Sequence, residues 1–184
     1  MSEYLVLNTN PADEWICSGK GLLLLLQGKG PQVGLEIGCA EGHTTHYLLR
    51  NLPELVLHGI DPYVNYQDWN GRFLSDRVDM HKQILDYCAE FGDRFIMHRD
   101  FSDNMVNHFE DDSLDFIFID GLHTYEQVTI DCENYFSKVK SGGVFAGHDY
   151  NVIEGVNRAV NEFAAKHGAE VQTCPNDVWY WIKK

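Results

Sequence analysis

Two hydrophobic rhythms alternate along the chain. VGLEIG (33 to 38), LVLHGID (55 to 61), RFIMH (94 to 98), DFIFID (115 to 120) and GGVFAGHDY (142 to 150) are short apolar runs that end in glycine or a polar residue. Such runs read as buried strands. Between them the apolar positions recur every three or four residues, as on one side of a helix. Met80, Ile84, Tyr87, Cys88 and Phe91 make one stripe. Tyr125, Val128, Cys132, Tyr135, Phe136 and Val139 make a second, and Val152, Val156, Val160, Phe163 and Ala164 a third, ended near Gly168. HYLLRNL (46 to 52) is helical, and a short helix is expected around MVNHF. Asn10 before Pro11, with Asp13 close behind, starts an N-terminal helix that runs into LLLLL and stops at GKG, residues 28 to 30. Thr124 and Gln127 have the spacing of a capping box.

Strands apolar on both faces and separated by helices imply a parallel sheet between two helical layers. Right-handed crossovers then give an α/β, Rossmann-like, doubly wound sheet of seven strands. The last two strands, EVQTC and VWYWI, are joined only by PND (175 to 177), too short for a parallel crossover. The final strand is therefore antiparallel. Both of its parities are apolar, which puts it inside the sheet. The length of 184 residues fits one domain, a helical segment over 1–30 followed by a core over 31–184.

A formal net charge of −14 disfavours nucleic acid and favours small molecules or basic partners. Five scattered cysteines without a C-x-x-C pair suggest neither a disulfide framework nor a zinc ribbon, so a reducing cytoplasm is expected. No signal segment is seen, and LLLLL is too short to cross a membrane.

In such sheets ligands bind beyond the carboxyl ends of the strands. The candidate residues are then Glu36 to Gly42, Asp61, Arg99 to Ser102, Asp120 to His123, and His148 with Asp149. Gly38, Ala40 and Gly42 permit close backbone approach before a helix N-terminus. Asp61, about 25 residues past Glu36, suits a ribose diol, or else starts the turn at Pro62. The glycines do not spell G-x-G-x-x-G, and Glu36 precedes the first of them. A carboxylate there repels a pyrophosphate and suits a ligand carrying an ammonium and a sulfonium, so S-adenosylmethionine is the better fit. If the fourth and fifth strands are neighbours, about 4.8 Å apart, Asp120 and Asp149 leave the sheet side by side. They then repel unless a cation or a proton lies between them. The aromatic stretch 62 to 77, with Tyr63, Tyr66, Trp69 and Phe73, is either a lid or an irregular helix.

LEIGCAEG, HGIDP, DFIFIDGLHTYEQVTIDCENYF, KSGGVFAGHDY and GVNRAV together resemble the class I S-adenosylmethionine-dependent methyltransferases. The nearest branch carries an IDG-x-H-x-Y-E signature and is similar to the metal-dependent sugar O-methyltransferases of macrolide biosynthesis. The resemblance implies cofactor binding by Glu36, Gly38, Ala40, Gly42, Asp61, Asp120 and, near the adenine, Asp100, Phe101 and Ser102. It implies a divalent ion, magnesium or manganese, on Asp120, His148 and Asp149, with His123 as base and Asp120 beside it in catalysis. The macrolide enzymes have an acidic pair where this chain has His148 and Asp149, so His148 is either a ligand or a structural or substrate-contacting histidine. The expected reaction is methylation of a small-molecule hydroxyl. The alternatives are a metal-assisted enzyme acting on a sugar or carboxylate, and a cofactor-binding module without turnover. Little of the chain is left over to select an acceptor, which leaves a role for a second subunit in a homo-oligomer.

Overall fold

A computed structural model of the chain describes residues 17–68, 70–75 and 77–184. The helix start at Asn10 and Pro11 and the aromatic Trp69 lie outside the described residues. Helix α1 (Cys17–Leu26) carries the leucine cluster. Then follow β1 (Gln32–Ile37), α2 (His43–Asn51), β2 (Leu55–Ile60), two short strands β3 (Tyr66–Gln67) and β4 (Phe73–Leu74), α3 (Arg77–Tyr87), β5 (Phe95–His98) and α4 (Ser102–Met105). The second half runs β6 (Leu114–Ile119), α5 (Tyr125–Tyr135), β7 (Val139–Gly147), α6 (Glu154–Lys166), β8 (Gln172–Cys174) and β9 (Val178–Ile182).

The main sheet has seven strands in the order β5-β2-β1-β6-β7-β9-β8. β1 pairs in parallel with β2 and with β6, and β6 with β7. Strand order reverses between β1 and β6, the place where a crevice opens in a doubly wound sheet. β9 runs antiparallel to both β7 and β8 and lies between them, as the apolar run VWYWI predicts.

β6 shows why these runs bury both faces. Phe116 and Phe118 point into a layer with Leu22, Leu48 and Ile84 from α1, α2 and α3. Ile117 and Ile119 point the other way, against Cys132, Tyr135, Val160 and Phe163 from α5 and α6. All four β6 side chains are buried, so polar substitution on either face would put an unsatisfied group in the core.

Three expectations change. Val139 belongs to β7 and not to the preceding helix, because Leu114 pairs with it across the sheet before an irregularity at 140–143. The glycines at 142 and 143 sit inside that irregularity, and β7 ends at Gly147, so His148 and Asp149 leave the strand. Ahead of α3 the described residues after Asp61 form no helix: β3 and β4 make a hairpin closed by Asp68, whose carboxylate accepts from the backbone N–H of Asn70 and Arg72. At Thr124 only half the capping box forms. Its hydroxyl accepts from the Gln127 N–H, while the Gln127 side chain turns to Asp131.

Among the described residues no helix is long and apolar enough to cross a membrane.

Candidate active site

The strand ends converge on a cleft of about 580 Å³ that straddles the reversal between β1 and β6. At its floor the turn after β1 meets the turn after β6. Gly38 has φ +87°, and a Cβ there would stand 2.1 Å from the carbonyl oxygen of Asp120. Only glycine permits that approach. Gly42, φ +81°, caps α2, and a Cβ on it would strike Ile84 of α3 at 2.5 Å. Its part is to seat α3 against the turn.

Glu36 is 1 % exposed and accepts a hydrogen bond from the Thr45 hydroxyl. Burial pushes its carboxyl up to about 8, and the neighbouring charges of Asp120 and Asp61 push the same way, against the Thr45 bond. Burial thus favours the protonated carboxyl at neutral pH. A cation in the cleft would favour its ionised form.

Asp61 is buried and ties the glycine turn to β2. It accepts from the backbone N–H of Cys39 at 3.2 Å, of Ala40 at 3.1 Å and of Tyr63 at 2.9 Å. A carboxylate has about four lone-pair sites, so the turn-forming and ribose-binding readings of Asp61 share one group. Tyr63 is fully buried and donates its hydroxyl to the Ala40 carbonyl oxygen, so it packs beneath the glycine turn and is not a lid.

Phe101 and Ser102 line the cleft. Asp100 stands outside it, its exposed carboxylate accepting from the Phe101 N–H and from Asn104. Behind Ser102 lies an acid absent from the candidates of the sequence. Asp131 is 1 % exposed, borders the cleft and accepts from the Ser102 hydroxyl at 2.6 Å and from Gln127 at 3.2 Å. Burial raises its carboxyl to about 6. Its signal was legible: Asp131 falls on the apolar stripe of α5, between Val128 and Tyr135.

At the other end four titratable side chains meet. β6 and β7 are adjacent, with Ile119 opposite Gly147, so Asp120 and His148 emerge together. His123 Nε2 lies 3.1 Å from Asp120 Oδ1 and 3.2 Å from Asp149 Oδ2. Asp149 has φ +60°. His148 Nδ1 is 3.2 Å from Asp149 Oδ1 and 3.6 Å from Asp120 Oδ1, while its Nε2 lies 2.9 Å from the carbonyl oxygen of Asn176. Burial works against a charge on His148, but its bond to Asp120 and the charges of Asp120 and Asp149 outweigh it, raising the imidazole to about 9. Burial likewise works to raise Asp120, and its bonds to His123 and His148 overcome it, so that the carboxyl is lowered. Burial raises Asp149. The repulsion expected between the two carboxylates is thus relieved by imidazoles. Asp120, His123 and Asp149 also offer ligand atoms that all lie within 4.8 Å of one another.

The hairpin and the start of α3 supply residues the sequence did not single out as ligand-facing: Arg72 and Leu74 of the hairpin and Arg77 of α3 border the cleft together with Tyr66. Phe73 points to solvent, 61 % exposed.

Among solved structures the chain is similar to the O-methyltransferase NovP, with a TM-score of 0.68 and 17 % identity, covering 94 % of this chain and 79 % of that one. It is similar to an O-methyltransferase from Bacillus cereus in complex with SAH, with a TM-score of 0.64 and 18 % identity, covering 98 % of this chain and 84 % of that one. The O-methyltransferase TomG from Streptomyces achromogenes, in complex with SAM, gives a TM-score of 0.61 and 15 % identity over 90 % of this chain and 79 % of that one. At these identities the likeness is one of fold. A curated relative, uncharacterized protein R132 of Acanthamoeba polyphaga mimivirus, is 27 % identical over an alignment of 140 residues that covers 71 % of this chain and 60 % of that protein. The chain thus spans less than two thirds of that relative's length. Residues 35–150, which hold the glycine turn, Asp61, Asp120, His123, His148 and Asp149, match the model of a methyltransferase domain family, Methyltransf_24, and the chain belongs to that family.

Proposed function

We propose that the protein is an S-adenosylmethionine-dependent methyltransferase that methylates a hydroxyl of a small molecule. The observation that carries this reading is the meeting of Asp120, His123 and Asp149 at the end of a cleft whose floor is the Gly38 turn and the buried Glu36. S-adenosylmethionine supplies an electrophilic methyl on a sulfonium, and the bound S-adenosyl compounds of the B. cereus and Streptomyces proteins support that choice. Glu36 suits its ammonium, Asp61 its ribose with the lone pairs left by the turn, and Phe101 and Ser102 its adenine end.

On the acceptor side the chain has to hold a hydroxyl in line and remove its proton. His123 takes the proton at Nδ1, while its Nε2–H is donated to Asp120, which orients the ring and balances its charge. The donor set also fits a divalent cation such as magnesium or manganese, held by the oxygens of Asp120 and Asp149 with an imidazole beside them. Bound there, it would offset the two carboxylates and favour the ionised hydroxyl. A second reading rests on His148. Both of its ring nitrogens face oxygen acceptors, so as an imidazolium it neutralises the same pair without a metal.

Release of methyl from labelled S-adenosylmethionine, screened over small hydroxylated acceptors with and without a chelator, tests these assignments. Asp120→Asn and His123→Gln are each expected to lower turnover on the order of a hundredfold or more. Full-rate turnover by either variant would remove it from the catalytic set. Turnover lost on chelation and restored by magnesium or manganese selects the metal. Turnover unchanged by chelation selects His148.

A further inference from the structure

Among the described residues Arg77 has no carboxylate partner, in a strongly acidic protein. Among the described residues it makes no ion pair, although the chain carries a net charge of −14 and the cleft it borders contains Glu36, Asp61, Asp120 and Asp131. Its guanidinium lies over the Tyr66 ring, 5.2 Å from the centroid, and donates through Nη2 to the Tyr66 hydroxyl at 3.1 Å. Nη1 reaches only the sulfur of Met80, at 3.8 Å. Nε is buried and has no acceptor. A simple staple between the hairpin and α3 accounts for the two Nη contacts. It does not account for a buried N–H on a charged group with nothing to receive it, which native structures avoid.

The position is informative. Tyr66 and Arg77 line the same cleft as Asp120 and His123. Val64 and Leu74 add apolar lining to this cleft. The planar fork of a guanidinium matches the two oxygens of a carboxylate or phosphate. The carboxylate of S-adenosylmethionine, one carbon from the ammonium assigned to Glu36, is the competing claimant, and a protein already loaded with S-adenosylhomocysteine separates the two.

We propose that Arg77, braced by Tyr66, is the anion subsite for the methyl acceptor, which therefore carries a carboxylate or phosphate besides the hydroxyl presented to Asp120 and His123. This rests on the cofactor reading above, and the acceptor class it names is an anionic hydroxy compound with a small apolar body.

The test uses the full chain saturated with S-adenosylhomocysteine and follows the Nε–Hε NMR resonance of Arg77, assigned by its absence in Arg77→Gln. Arg77→Lys provides the same assignment with the charge kept, should the glutamine variant fail to fold. A saturable shift with 3-hydroxybenzoate or inorganic phosphate, and none with 3-hydroxybenzyl alcohol, is the expected result. Calorimetry is then expected to find the responding anion bound at least tenfold more weakly by Arg77→Gln, with S-adenosylhomocysteine affinity changed by less than threefold. No response to either anion in the loaded protein would overturn the proposal. So would a response with 5′-methylthioadenosine bound that vanishes with S-adenosylhomocysteine, since that places the cofactor's own carboxylate on Arg77. Failure of the unmodified protein to bind S-adenosylhomocysteine is a separate outcome, read directly by calorimetry, and it would end the cofactor reading and this inference together.

Discussion

Glu36 is a carboxyl placed where only a cation can pay for its charge, and its pH behaviour follows from that. Below its ordinary value of 4.5 the group is protonated in the folded and unfolded chain alike. As pH rises through 4.5 the unfolded chain ionises while the folded carboxyl, held to about 8, does not. The native state is therefore progressively disfavoured up to about pH 8, by on the order of 3 kcal/mol at pH 7. Glu36→Gln has no such proton to lose. Denaturant unfolding should find the variant gaining on the unmodified protein by about that amount between pH 4.5 and 7, while losing cofactor affinity. A stability difference independent of pH would show that Glu36 is already ionised in the empty protein. The same scale contains the main gap between residue pattern and site. Glu36, Asp61, Asp120, His123, His148 and Asp149 could be named because each lies at the end of a strand or just after it. Asp131 and Arg77 follow none, and reach the cleft from helices whose packing no local rule specifies.

Elements position these groups, and the tightest joint is between the turns after β1 and β6. Asp120 N–H donates to the Ile37 carbonyl at 2.8 Å, and Gly38 lies against the Asp120 carbonyl. Gly38→Ala combines a left-handed backbone with a direct clash, so a loss of more than about 2 kcal/mol in stability is expected, together with loss of cofactor binding. A Gly38→Ala protein that melts and binds like the parent would mean that the two turns are not so closely joined. The strands were readable because burial on both faces writes a continuous apolar run, as in FIFI. The hairpin was not, since two-residue strands carry no period. Its local signal was Asn70-Gly71, a dipeptide suited to a tight hairpin turn. Val139 was misplaced for a related reason: one valine satisfies the helical stripe and the strand equally, and pairing with Leu114 decides between them.

At the scale of the whole molecule, the reversal of strand order between β1 and β6 gathers residues from the ends of β1, β2, β5 and β6 into one cleft, and the antiparallel β9 extends the sheet beyond β7. The alternation of strands and helices made this arrangement legible, with the short PND connection setting the direction of the last strand. What the alternation leaves open is the chemistry of the acceptor, because that depends on a handful of side chains on the hairpin and at the ends of β6 and β7. The central claim is that the cleft receives S-adenosylmethionine through Glu36. Titration calorimetry with S-adenosylmethionine and S-adenosylhomocysteine at pH 7, repeated in two buffers of different ionisation enthalpy, tests it most directly. One-to-one binding of both, releasing about one proton as the ligand ammonium ionises Glu36 and none in Glu36→Gln, is the predicted result. Absence of binding by either ligand would contradict the account.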